Sequence, residues 1–146
     1  MTPTVDFYLI NIPTLTSSYR FVCQLIDKAC QQKHQVYVHT NSAEEATTLD
    51  KLLWIFRDDS FLPHDILEKN MPPTVPVQIG HAITPEHHHD ILINITEETP
   101  AFFSQFKRIL EVVPSDKAAR ELARKKFRFY RDKNCQVTSH ELTNIQ

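Results

Sequence analysis

Glycine is almost missing from this sequence: Gly80 stands alone among 146 residues. Loops that cradle phosphate need several glycines, so that backbone N–H groups can reach the ligand without side-chain clash. A Walker-type loop and a G-x-G-x-x-G turn are therefore excluded, and so is the G-x-S-x-G elbow of serine hydrolases. Cysteine is also scarce. Cys23, Cys30 and Cys135 are odd in number and lack C-x-x-C spacing, which reads as reduced thiols in a cytoplasmic protein rather than a disulfide or zinc framework. Long hydrophobic runs are missing too, and none approaches the ~18 residues that cross a bilayer. The start, Met1-Thr2-Pro3-Thr4-Val5-Asp6, lacks the basic and apolar regions of a secretory signal. No membrane partner and no cofactor is expected.

What is present suits one globular domain over residues 1–146, with 41% apolar and 23% charged residues. The net charge of −2 is unevenly spread. Between Lys117 and Lys133 lie eight basic residues and two acidic ones, a local +6 that leaves −8 elsewhere. Basic charge gathered at one place on an acidic body points to an anionic partner.

The pattern of apolar residues predicts alternating strands and helices. Val5–Ile10, Val36–Val38, Val77–Gly80 and Asp90–Ile95 read as strands. Phe21, Val22, Leu25, Ile26 and Ala29 share one helical face, and Ser42 with Glu45 has capping-box spacing ahead of Ala46, Leu49, Leu52 and Leu53. Residues 58–76 read as a long irregular connection around Pro63, Pro72 and Pro73. Thr99-Pro100 suggests a helix start, with Phe102, Phe103, Phe106, Ile109 and Leu110 as its buried side. Glu111–Val113 follows as a short strand, and Ser115-Asp116 opens the last helix. The expected architecture is a three-layer α/β/α domain with a mainly parallel central sheet, Rossmann-like in topology but without a nucleotide-binding loop.

The last helix holds the most informative surface. Lys117, Arg120, Arg124, Arg128 and Arg131 share one stripe. Ala119, Leu122, Ala123, Phe129 and Tyr130 fall on the core side, Phe127 lies at the border, and Lys126 is expected to snorkel over the apolar edge. Guanidinium forks match carboxylate or phosphate, and a bordering ring adds apolar area. The plainer alternative is a solvated helix face. A second candidate surface is the aromatic run from Trp54 through Phe56 and Phe61 to Pro63; exposed loop aromatics make good interface anchors, whereas Trp54 by itself could finish the buried side of its helix. His81 and His87-His88-His89 raise the question of a metal site, but no H-x-x-x-H helix accompanies them. No catalytic constellation emerges.

Phe7-Tyr8-Leu9, Leu53-Trp54, Ser60-Phe61-Leu62-Pro63-His64, Asp90-Ile91-Leu92-Ile93, Val112-Val113-Pro114, Leu122-Ala123-Arg124 and Tyr130-Arg131 occur in an order and spacing that resemble the chi subunit family of bacterial DNA polymerase III over nearly the full chain. The resemblance implies a non-catalytic accessory of the clamp-loader assembly. It would bridge the psi subunit to the acidic C-terminal tail of single-stranded DNA-binding protein, with DNA contacted only indirectly. Carried over by position, Arg124, Arg128 and Arg131 would meet the tail carboxylates, and Phe127 and Val113 its terminal aromatic side chain. Trp54, Phe61 and Pro63 would face psi. The family often has tyrosine where this chain has Phe127, so the ring is kept and a hydroxyl is lost. Two other functions compete: direct binding of single-stranded nucleic acid by the basic helix, and metal-dependent hydrolysis at the histidines.

Overall fold

Strand β1, Thr4–Ile10, turns Val5 and Phe7 to one face of a sheet and Ile10 to the other. In the computed structural model, residues 2–14, 16–55, 64–66, 75–85 and 89–142 are described. Among them the further elements are α1 (Tyr19–Gln31), β2 (Val36–Thr40), α2 (Ala43–Ile55), β3 (His64–Ile66), β4 (Val77–His81), β5 (Ile91–Asn94), β6 (Arg108–Val113), α3 (Lys117–Asp132) and β7 (Gln136–Leu142). The strands form one sheet in the order β3-β4-β2-β5-β6-β1-β7. Every described pairing is parallel.

The sheet is buried on both sides, as crossover helices require of parallel strands. One side packs Phe21, Val22 and Ile26 of α1 and Leu49 and Leu53 of α2 over Val36, Val38, Ile79 and Ile93. The other packs Ala123 and Tyr130 of α3, with Phe102 and Phe106, over Val5, Phe7, Tyr37 and Ile109. The three-layer expectation holds. No helix among the described residues is long and apolar enough to cross a membrane.

Helix ends follow local chemistry. Ser42 Oγ accepts from Glu45 N at 3.1 Å, while Glu45 reaches back one residue beyond the usual box to accept from Asn41 N at 2.8 Å. With glycine unavailable, α1 and α3 end on left-handed Lys33 (φ 65°) and Asn134 (φ 66°). His34 N donates to Ala29 O at 3.1 Å and Cys135 N to Tyr130 O at 3.0 Å, closing both C-terminal turns.

Three expectations about elements need correction. The segment after Thr99 is not an α-helix: it makes a single 3-10 turn, Phe103–Gln105, and then enters β6 at Arg108. Ile109, Leu110, Glu111, Val112 and Val113 are buried consecutively, the signature of a central strand covered on both faces. The phenylalanines form an aromatic plug instead of a helix face, with Phe102 and Phe106 ring centroids 5.9 and 6.3 Å from Tyr37. Within the supposed irregular connection, His64–Ile66 forms β3, too short to carry a period-2 signal. Finally, β7 follows α3, its pattern blurred because it is half exposed at the sheet edge.

Candidate protein-binding surface

Asp116 starts α3, accepting from Ala119 N at 3.2 Å through its side chain. Tertiary partners then divide the basic residues into two groups that helical spacing alone merged. Arg124, Arg128 and Arg131 are exposed, and no described residue pairs with any of them. Arg120, assigned to the same stripe, is a structural residue. Its guanidinium donates to Pro114 O at 2.9 Å and to Ile10 O at 3.0 Å, tying the carboxyl ends of β6 and β1 together.

Lys126 departs further from expectation. Rather than snorkelling outward, it donates to Thr96 O at 2.5 Å and to Glu111 Oε1 at 3.0 Å. Glu111 is 1% exposed and also accepts from Asn94 Nδ2 at 3.0 Å and Tyr130 Oη at 2.6 Å. Burial, and then the Glu111 carboxylate, push the Tyr130 hydroxyl well above its ordinary value, so it stays a donor. This network clamps the inner side of α3 to β6. Its one trace in the sequence is a lone carboxylate inside the apolar run from Ile109 to Val113.

Of the rings of α3, Phe127 lies at the border as expected, whereas Phe129, assigned to the core side, does not. Phe127 is half-buried with its centroid 5.7 Å from Phe7, whereas Phe129 is 38% exposed beneath Lys133 Nζ at 5.6 Å. Phe7, Leu9, Ala123 and Phe127 floor a cleft of about 160 Å³, with Arg120 and Arg124 on its rim and Ser139 of β7 closing one side. Val113 lines a different cavity, a crevice of about 430 Å³ on the other flank of α3, beside Ala119, Leu122 and Lys126. The two residues expected to receive one aromatic side chain therefore border separate cavities.

At the far end of the sheet, Trp54 is 51% and Ile55 71% exposed. The plainer reading of Trp54 as core is thus overturned. Its ring lies 4.5 Å from that of His64, which is buried with Nε2 2.9 Å from Asp50 O. Phe61 and Pro63 lie outside the described residues, as do His87 and His88.

His89 Nε2 lies 2.9 Å from Pro85 O, and His81 is exposed. Among the described residues no three His, Cys, Asp or Glu side chains gather around a point that could hold a metal ion. Burial pushes the Cys23 and Cys30 thiols up to about 12 and about 11, leaving too little thiolate for nucleophilic chemistry near neutral pH. His39, unremarked in the sequence, has a buried Nδ1 with no partner among the described residues. Burial, and then His81, lower its pKa from 6.5 to about 4. The unfolded chain takes up this proton near its ordinary pKa and the folded chain does not. Stability should therefore fall as pH drops from about 6.5 towards about 4 and lose no more to this group below that. Melting temperatures across that window check the slope, and His39→Phe should flatten it.

The family profile described as DNA polymerase III chi subunit, HolC, matches residues 1–138. The DNA polymerase III subunit chi of Pseudomonas aeruginosa is 38% identical over 141 residues, covering 97% of this chain and 98% of that protein. The subunit chi of Haemophilus influenzae is 25% identical over 129 residues, covering 88% and 90%. In fold alone, the crystal structure of T4 UvsW is similar, with a TM-score of 0.67 at 5% identity, covering 96% of this chain and 41% of that one. From the match along nearly the whole chain, this protein belongs to the DNA polymerase III chi subunit family.

Proposed function

We propose that this chi subunit is a non-catalytic adaptor of the clamp-loader assembly in the cytoplasm. In this reading it joins the psi subunit, at the exposed end of α2, to the acidic C-terminal tail of single-stranded DNA-binding protein, at the basic face of α3. The observation that carries the reading is the state of Arg124, Arg128 and Arg131: exposed and without a described carboxylate partner, with Arg124 on the rim of an apolar cleft. Solvated helix faces usually interleave both signs of charge, whereas this one has three forked cations ready for an external carboxylate. The cleft floored by Phe7, Leu9 and Phe127 suits the tail's terminal aromatic side chain, and Val113 supports β6 beneath α3 without lining it.

Titrating the synthetic tail peptide of the cognate single-stranded DNA-binding protein tests this. Arg128→Ala should weaken binding by about 1–3 kcal/mol, the usual loss for a charged hydrogen bond. Binding should also weaken as salt rises. Unchanged affinity of Arg128→Ala would remove the arginine face from the site. An oligonucleotide alone, followed by fluorescence anisotropy, should bind little; tight, steeply salt-dependent binding would favour the direct nucleic-acid reading instead. For the second surface, Trp54→Ala should weaken capture of psi while leaving tail binding unchanged.

A further inference from the structure

β7 is an unusual edge strand. It runs seven residues, Gln136–Leu142, in unbroken parallel register with β1 from Thr4↔Gln136 to Ile10↔Leu142. Its outer side pairs with no described strand. Protein edges are ordinarily blunted by lysine, proline, a bulge or shortness. The opposite edge, β3, is three residues long, but β7 has neither lysine nor proline and no bulge, and its one carboxylate, Glu141, stands near its end. In a parallel pair, alternate residues of each strand direct both N–H and C=O away from the neighbour. A row of unpaired donors and acceptors thus runs along this side of the domain.

The row lies under the arginine face. Val137, Ser139 and Glu141 are paired with Val5, Phe7 and Leu9 on the α3 side of the sheet, and Ser139 closes the cleft whose rim carries Arg124. An extended segment added beside β7 would place every second side chain below α3. Spacings agree: four residues of helix, Arg124 to Arg128, rise about 6 Å, and two residues of strand about 6.7 Å. Carboxylates at alternate positions of an added strand would therefore come near the spacing of Arg124 and Arg128, with Arg131 about 4.5 Å further along the helix.

We propose that the acidic tail binds by β-augmentation, adding a strand to the open edge of β7, with alternate carboxylates under Arg124, Arg128 and Arg131 and an apolar side chain in the Phe7–Phe127 cleft. This rests on the tail-binding reading above and specifies its geometry. The main alternative occupant is a second copy of the chain, pairing β7 to β7. Two-fold pairing would bring both arginine stripes along the same seam, and like charges so placed disfavour it. An acidic strand meets the same stripe with the opposite sign.

The test uses the full ¹⁵N-labelled chain and the synthetic tail peptide. In the free protein, alternate β7 amides should exchange quickly with solvent, and the peptide should slow them. Peptides N-methylated at alternate residues should divide into two sets. One set loses binding about tenfold, as expected when backbone hydrogen bonds to the edge are removed, and the other binds as before. If the peptide binds and Arg128→Ala weakens it, yet β7 exchange does not change, the edge is not used and β-augmentation is overturned while the tail reading stands. If no tail peptide binds, the tail reading fails and this proposal fails with it. Concentration-dependent dimerisation that protects the same amides without peptide would assign the edge to a second copy.

Discussion

Replacing Glu111 with alanine should destabilise the domain by about 3–5 kcal/mol, the loss typical of removing one partner from a buried ion pair. The carboxylate is 1% exposed and accepts from Lys126 Nζ, Asn94 Nδ2 and Tyr130 Oη, none longer than 3.0 Å. With it gone, the Lys126 ammonium, whose side chain is 12% exposed, keeps only Thr96 O as a partner among the described residues. The Tyr130 hydroxyl and one Asn94 donor lose the same acceptor. Single domains are stable by only about 5–15 kcal/mol, so the change consumes a large share of the total. Urea unfolding followed by circular dichroism measures it. The double variant Glu111→Leu/Lys126→Met removes both charges and should recover much of the loss, because a well-packed apolar pair can replace a buried ion pair. A Glu111→Ala protein with wild-type stability would show that the clamp between α3 and β6 is not energetically coupled to folding. Because Lys126 and Tyr130 hold the inner side of α3, the same variant should also blur the placement of Arg124, Arg128 and Arg131, seen as weaker tail binding under conditions where the domain is still folded.

Gly80→Ala is expected to be nearly as damaging. A Cβ on Gly80 would lie 2.1 Å from Tyr37 Oη and 2.8 Å from two of its ring carbons. Tyr37 cannot easily yield: it is fully buried, its hydroxyl donates to Ile83 O at 2.9 Å, and its ring stacks on Phe106 at 6.3 Å. Overpacking of this kind costs about 1–3 kcal/mol, and a displaced hydroxyl adds about 1 kcal/mol more through its lost hydrogen bond. Tyr37→Phe removes the closest clashing atom, so Gly80→Ala/Tyr37→Phe should be more stable than the sum of the single effects allows. Strict additivity would mean that the two residues do not meet as described. The only glycine in the chain is thus retained to let an aromatic ring cross the backbone of β4, a packing role unrelated to phosphate binding.

Much of the framework was legible because it is written in local periodicity. Val5–Ile10, Val36–Val38 and Asp90–Ile95 carry enough consecutive apolar residues to be strands, and α1 and α3 each bury one face. The segment from Thr99 to Leu110 misled for a definable reason. Phe102, Phe103, Phe106, Ile109 and Leu110 satisfy helical spacing, yet the three phenylalanines plug one face of the sheet and the other two residues enter a strand buried on both sides. Periodicity reports which residues avoid water, and two different geometries here bury the same set.

The sequence by itself determined the concentration of positive charge on α3, the want of any phosphate-binding loop, and the membership signals spread from Phe7 to Arg131. Only the tertiary structure decided which of those charges are available. Arg120 and Lys126 are drawn to carbonyls and a carboxylate on β1, β5–β6 and their loops, partners remote in the chain and invisible to spacing. Arg120 differs from Arg124, Arg128 and Arg131 in its place in the first turn, against the carboxyl ends of β1 and β6, and Lys126 in lying on the inner side of the helix, over Glu111. Position on the helix relative to strands distant in the chain separates a cation consumed by the fold from one that can meet a partner.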